Sequence, residues 1–144
     1  MVLTNGQEKG LKVAVERYRN HEPYTVIAGY AGTGKSTLVQ FIINALNISS
    51  GDVCYIAYTG RAALILQEKG CENAMTAHRL LYYSKEKPDG TFEHKPRKTL
   101  EYNYKLIVVD EVSMLPDEMW KLLLSHHVYV IALGDPFQLP PVDG

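Results

Sequence analysis

The residues "GYAGTGKST", 29–37, place Gly29, Gly34, Lys35 and Ser36 in the spacing GxxxxGK[ST]. Each residue type has a task toward a polyphosphate. Glycines let main-chain N–H groups turn inward where a Cβ would obstruct the turn. A lysine reaches the outer phosphates, and a serine hydroxyl ligates Mg2+. A second group, Asp110 and Glu111, follows the apolar run "LIVV". Adjacent carboxylates repel each other unless a cation is near. One can hold the coordination sphere of a metal through water, and the other can orient and polarise an attacking water. A third stretch, "GDPFQLPPV" at 134–142, follows "VYVIAL". The neutral amide of Gln138 can donate to a phosphate oxygen and accept from water, and it changes partners when the phosphate leaves. Each stretch also has a plain reading: a Gly-rich turn, two solvated loop acids, and a Gly-Asp-Pro turn beside an exposed glutamine.

These groups act together only if the chain brings them to one place. Residues 4–20 read as a helix, with Leu11, Ala14, Val15 and Tyr18 at helical spacing and Thr4 and Gln7 spaced as a capping box. "YTVIA" at 24–28 reads as a buried strand that enters the glycine-rich turn. Beyond it, Leu38, Phe41, Ile42, Ala45 and Leu46 mark one helical face. "VCYIAY" at 53–58 is a second strand, Thr59 can cap a helix running to about residue 69, and a short helix is expected over 76–82. "KLIVVD" at 105–110 and 129–133 supply two more strands. Between these two, Pro116 sits where a helix can begin, with Asp117 and Glu118 in its first turn. Strands apolar on both faces, alternating with helices, imply a parallel sheet covered on both sides. Ligands then gather at the carboxyl ends of the strands.

One segment breaks the pattern. "SKEKPDGTFEHKPRKT", 84–99, is charged and carries a Pro-Asp-Gly turn. It reads as an insertion of about 84–104 ahead of the acid-pair strand, in the form of a small hairpin.

Composition narrows the class without naming the substrate. The chain has 144 residues, 46% of them hydrophobic, and a formal net charge of −1. That suits one globular domain and gives no bulk basic signature for nucleic acid. Cys54 and Cys71 form no metal-spaced cluster, and Cys54 falls in an apolar strand, where a buried inert thiol is expected. No apolar segment approaches the ~20 residues of a membrane span. A polar start and few cysteines make the cytoplasm the expected location, with no membrane partner.

Six stretches, "LTNGQ", "GYAGTGKST", "AYTGRAAL", "AMTAHRLL", "VVDEVSML" and "GDPFQLPPV", occur in the order and at about the spacing found in superfamily 1 DNA helicases. From about Leu3 onward the chain resembles the first lobe of the RecD and Dda type, which moves 5′ to 3′ on single-stranded DNA. The resemblance implies an α/β, RecA-like P-loop NTPase lobe. In that lobe the strand carrying the last motif lies between the phosphate-loop strand and the acid-pair strand. It implies ATP and Mg2+ as cofactors and Lys35, Asp110, Glu111 and Gln138 as catalytic residues. Nucleotide contacts would come from Gln7, at the adenine, and from Gly29, Ala31, Gly32, Thr33, Gly34, Lys35, Ser36 and Thr37. Ser36 and Asp110 would serve the metal. Thr59, Gly60 and Arg61 match a segment on the DNA backbone, and Thr76 and His78 match a further DNA-side motif. The family usually has proline where this chain has Tyr58. Related helicases carry a duplex-splitting hairpin at the insertion, which makes Phe92 a candidate for stacking on a base. The plainer reading is a surface loop whose base is closed by Tyr82, Tyr83, Tyr102 and Tyr104.

In that family ATP lies between two RecA-like lobes, and the second lobe supplies arginine fingers. Arg17, Arg19, Arg61, Arg79 and Arg97 all fall in segments matching the first lobe. The expectation is therefore a single lobe, residues 1–144, of an ATP-dependent helicase. Its partners would be single-stranded DNA, a second lobe that is missing here, and possible larger DNA-processing assemblies. On its own it would bind nucleotide weakly and would not unwind DNA. Two other readings stay open: a P-loop ATPase that does not act on DNA, and a nucleotide-binding module without catalysis.

Overall fold

A computed structural model describes residues 5–28 and 35–134. Along the chain come α1 (Asn5–Arg19), β1 (Tyr24–Ala28), α2 (Lys35–Ala45), β2 (Val53–Ala57), α3 (Gly60–Glu68), β3 (Ala74–Thr76) and α4 (Ala77–Leu81). They are followed by β4 (Tyr82–Glu86), β5 (Phe92–Pro96), β6 (Leu106–Val109), α5 (Asp117–Leu124) and β7 (Tyr129–Gly134). Short 3-10 turns occupy Ser50–Asp52 and Val112–Met114.

Five strands form one sheet in the order β1-β7-β6-β2-β3, and every pairing in it is parallel. The strand before the last motif, β7, lies between the phosphate-loop strand β1 and the acid-pair strand β6, as the resemblance implied. The four strands expected from apolar runs are present. The fifth, β3, was not expected. Its "AMT" is too short to show any periodicity, and it exists because Ala74 and Thr76 find partners in Tyr55 and Ala57 of β2.

Alternation along the strands sorts their side chains to two faces. Leu106, Val108, Tyr129, Ile131 and Val53 join Ala14, Leu38, Val39 and Ile42 in a core beneath α1 and α2. Ile107, Val109, Val130, Ala132, Cys54 and Ile56 join Leu80, Leu81, Met119 and Leu123 beneath α4 and α5. A strand buried on both faces needs apolar residues at every position, and for this reason "LIVV" and "YVIALG" show no polar alternation. Burying one such side chain contributes about 1.5–3 kcal/mol, so these central strands dominate the stability of the lobe.

Two contacts fix α1. Gly10 faces α2 so closely that an added Cβ would lie 3.1 Å from Leu38 Cδ2. The Tyr129 hydroxyl donates to the Ala14 carbonyl at 2.8 Å. Its single proton is thereby committed, so the buried Thr25 hydroxyl donates in turn to the Tyr129 oxygen. Burial keeps this phenol above its ordinary pKa, and it stays neutral.

β4 and β5 stand apart as an antiparallel ribbon, paired from Tyr82↔Pro96 to Glu86↔Phe92. At its turn, Asp89 accepts from the Thr91 amide at 3.0 Å and from its hydroxyl at 2.6 Å, and Gly90 adopts φ +88°. The Pro-Asp-Gly signal thus marks the turn of a hairpin.

Candidate functional site

All five strands of the sheet run the same way, so the loops that follow them open on one edge. The register sets their levels. Ala28 pairs with Gly134, Val109 with Ala132, Ile56 with Val109, and Ala57 with Thr76. The segments after Ala28, Gly134, Val109, Ala57 and Thr76 therefore leave the sheet within about two residues of a common line. These are the segments that carry the phosphate loop, Gln138, the acid pair, Thr59–Arg61 and His78.

Gly29, Ala31, Gly32, Thr33, Gly34 and Gln138 lie outside the described residues, as does Thr4 of the expected capping box. Their flanks are described. β1 ends at Ala28 and α2 begins at Lys35, so the turn joins a strand end to a helix N-terminus. A helix start offers unpaired N–H groups and partial positive charge to an anion. Thr37 sits in the first turn of this helix, half-buried.

Gln7 lies in the opening turns of α1, one turn ahead of Gly10. The end of α1 is tied to the start of β1, where Arg17 Nε donates to the Tyr24 carbonyl at 2.8 Å. A helix of this length then returns its first turns to the carboxyl end of β1. Gln7 therefore shares that end of the sheet with the start of α2.

The acid pair is held by backbone on both sides. The Asp110 amide donates to the Ile56 carbonyl at 2.9 Å, extending the β2–β6 ladder past the strand. Asp110 thus leaves the sheet two strands from β1, about 10 Å away at the usual strand spacing. Glu111 then adopts left-handed backbone, φ 52° and ψ 66°. A non-glycine residue there costs about 1–2 kcal/mol. Its neighbours impose it. Val112 and Leu115 are buried in the α5-side core, and the Met114 amide returns to the Glu111 carbonyl at 3.0 Å. The chain must turn sharply between Asp110, still on the ladder, and Val112, already in the core.

At the end of β2, Thr59 caps α3: its hydroxyl accepts from the Ala62 amide at 3.1 Å. Thr76 does the same for α4, accepting from the Arg79 amide at 3.1 Å. Gly60 and Arg61 are exposed at the start of α3. His78 is exposed and lies between Tyr58 and Tyr82, with ring centroids 5.6 and 5.9 Å away. Tyr58, where the resembling family usually has proline, thus links the loop after β2 to the first residue of the hairpin. Phe92 is 64% exposed beside the hairpin turn. Cys54 is fully buried, and burial pushes its thiol up to about 12, which leaves it inert.

Residues 12–143 match the family described as AAA domain. The chain belongs to this family. It is 34% identical, over 98% of its length, to the ATP-dependent DNA helicase dda of Enterobacteria phage T4. It is 39% identical, over 82% of its length, to the ATP-dependent RecD2 DNA helicase of Deinococcus radiodurans. A third relative, the ATP-dependent DNA helicase PIF7 of Trypanosoma brucei brucei, is 30% identical over 98% of the chain. The chain spans 33%, 16% and 15% of these relatives' lengths. The likeness supports the superfamily 1 resemblance of the RecD and Dda type, as an N-terminal lobe.

Proposed function

We propose that this chain is the ATP-binding lobe of an ATP-dependent DNA helicase, which couples hydrolysis to movement along single-stranded DNA. The observation that carries the reading is the common edge. The strand register brings the flanks of the phosphate loop, the acid pair and the two capped DNA-side segments to one level of one sheet. β7, which leads into the Gln138 segment, sits between the first two.

The residues fit a magnesium nucleotide. Mg2+ is held by one or two hard oxygen ligands plus substrate phosphates, and Ser36 and Asp110 supply such oxygens. When bound, the metal neutralises charge on the transferred phosphate. Lys35 and the N-terminal amides of α2 bind the outer phosphates, and Thr37 supports that turn. Gln7 addresses the base. Glu111, fixed by its left-handed turn, orients the attacking water, and Gln138 registers the γ-phosphate. Thr59, Gly60, Arg61, Thr76 and His78 face the DNA backbone, and Phe92 stacks at the fork. A hydroxyl that already caps a helix stands among the N–H groups that bind a phosphate, so both roles coexist.

A second lobe supplies the arginines that complete catalysis, and residues 1–144 act as one unit against it. Loss of such arginines costs about 10³–10⁵ in rate in related phosphoryl-transfer systems. The chain alone therefore binds Mg-ATP weakly, hydrolyses it very slowly and does not unwind DNA. The test is an ATPase assay, with and without single-stranded DNA, on a longer polypeptide that carries the second lobe. Strong stimulation by DNA is expected. A rate indifferent to DNA would instead support an ATPase acting elsewhere. Lys35→Ala should abolish nucleotide binding, read by titration with a fluorescent ATP analogue, and retained binding would refute the phosphate-loop assignment.

A further inference from the structure

Tyr58, His78 and Tyr82 come from three segments and form one file of rings. Parallel pairing sets Ala57 beside Thr76, so Tyr58 leaves β2 next to the start of α4. The His78 ring lies between the other two, with centroids 5.6 Å from Tyr58 and 5.9 Å from Tyr82. Both distances fall in the range where aromatic rings attract. The outer two rings are half-buried and packed against the α5-side core, while His78 is exposed. Two braced rings thus hold a third that the core does not cover.

From His78 onward the chain leads straight into the hairpin. The Tyr82 amide donates to the His78 carbonyl, and Tyr82 is the first residue of β4, opposite Pro96. The Arg97 amide donates to the Leu81 carbonyl at 2.8 Å, so the returning strand is fastened to the same helix. α4 and the hairpin root are therefore one unit. The rings join that unit to the loop after β2, where Thr59 caps α3. A proline at position 58, usual in the resembling family, would stiffen the loop but offer His78 no aromatic face. We propose that Tyr58 is a positioning residue: through His78 it locks the loop after β2 to the root of the hairpin, so that the two move as one body. The inference rests on the helicase reading and adds a mechanical link to it. A shift of segment 59–61 with its DNA strand carries the hairpin along, and each step reaches the fork.

The experiment replaces Tyr58 by Leu, which keeps apolar bulk and removes the ring, and by Phe, which keeps the ring and removes the hydroxyl. Tyr82→Leu takes away the other outer ring and serves if Tyr58→Leu fails to fold, as judged by far-UV circular dichroism. In the chain itself, hydrogen exchange of the β4–β5 ladder amides should speed up about 2- to 10-fold in either Leu variant, the fold-change worth one aromatic pair. Amides of β6 and β7 should exchange as in the wild type, and Tyr58→Phe should leave the ribbon unchanged. The two Leu substitutions together should fall short of the sum of their separate effects. In the longer polypeptide that carries the second lobe, Tyr58→Leu should keep the DNA-stimulated ATPase rate and the KM for ATP. It should nevertheless open several-fold fewer base pairs of a forked duplex per ATP hydrolysed.

Unchanged ribbon exchange in the folded Leu variants would overturn the link, and so would a Phe variant as impaired as Leu. Unwinding and DNA-stimulated hydrolysis that fall together would make Tyr58 a plain strand contact and overturn it too. A wild-type longer polypeptide whose ATPase ignores DNA would overturn the helicase reading instead, and the exchange rates would still decide whether the rings bind loop to hairpin.

Discussion

The five-stranded sheet and the two-stranded hairpin are built from the same backbone ladder and obey opposite rules. In the sheet, β6 and β7 are buried at every position and their side chains are apolar throughout. In the hairpin, most of the residues are exposed, including Phe92 and Tyr83. An isolated hairpin is marginally stable in water. This one persists because Leu80 and Leu81 of α4 are buried in the lobe and the Arg97 amide is clamped to Leu81. The sheet holds loops at a fixed level; the hairpin leaves most of its side chains exposed. Stability and function should therefore separate along this line.

The largest expected break is in the sheet. Ile131→Ala removes a fully buried side chain from β7 and should cost about 2–5 kcal/mol, read as a lower urea midpoint. Tyr129→Phe deletes the hydroxyl that joins Ala14 and Thr25 and takes from the buried Thr25 hydroxyl the oxygen it donates to, at a cost of about 1–3 kcal/mol. A smaller cost would show that water replaces the phenol and that α1 is held mainly by its apolar face. Thr59→Ala removes a cap and should cost about 1 kcal/mol. Thr59→Asp sharpens the comparison, since it keeps the cap but places a negative charge where the proposed function puts DNA phosphate. Stability should be retained while affinity for oligo-dT drops, and equal affinity would leave Thr59 with capping alone. The smallest thermodynamic effect belongs to the hairpin. Phe92→Ala should lie within about 0.5 kcal/mol of the wild type. Its cost should appear as slower unwinding of a forked duplex by the longer polypeptide, and normal unwinding would return Phe92 to an ordinary exposed side chain.

The sequence was most legible where one local rule decides the structure. Apolar runs announced β1, β2, β6 and β7, Thr59 announced its cap, and Pro-Asp-Gly announced the hairpin turn. Of the acid pair, the sequence shows the position but not the left-handed backbone at Glu111. That conformation comes from two tertiary anchors, the Ile56 carbonyl behind it and the buried Val112 ahead of it. β3 was hidden for a related reason. Three residues carry no period, and only the adjacent edge of β2 makes them a strand. The stack of Tyr58, His78 and Tyr82 was hidden as well. Those residues are separated in sequence and meet because β2 and β3 are neighbours. Order and spacing of motifs suggested which strand stands between β1 and β6, and no periodicity alone could have done so.

That middle strand has a consequence for how the protein is made. β7 emerges from the ribosome after the other four strands of the sheet, yet it occupies the slot between β1 and β6. Until residues 129–134 are synthesised, two apolar ladders face an empty channel, and α1 lacks the phenol that fastens it across 115 positions. Nascent chains halted in that interval carry open edges that invite pairing with other polypeptides. Productive folding of this sheet therefore waits until β7 has cleared the exit tunnel.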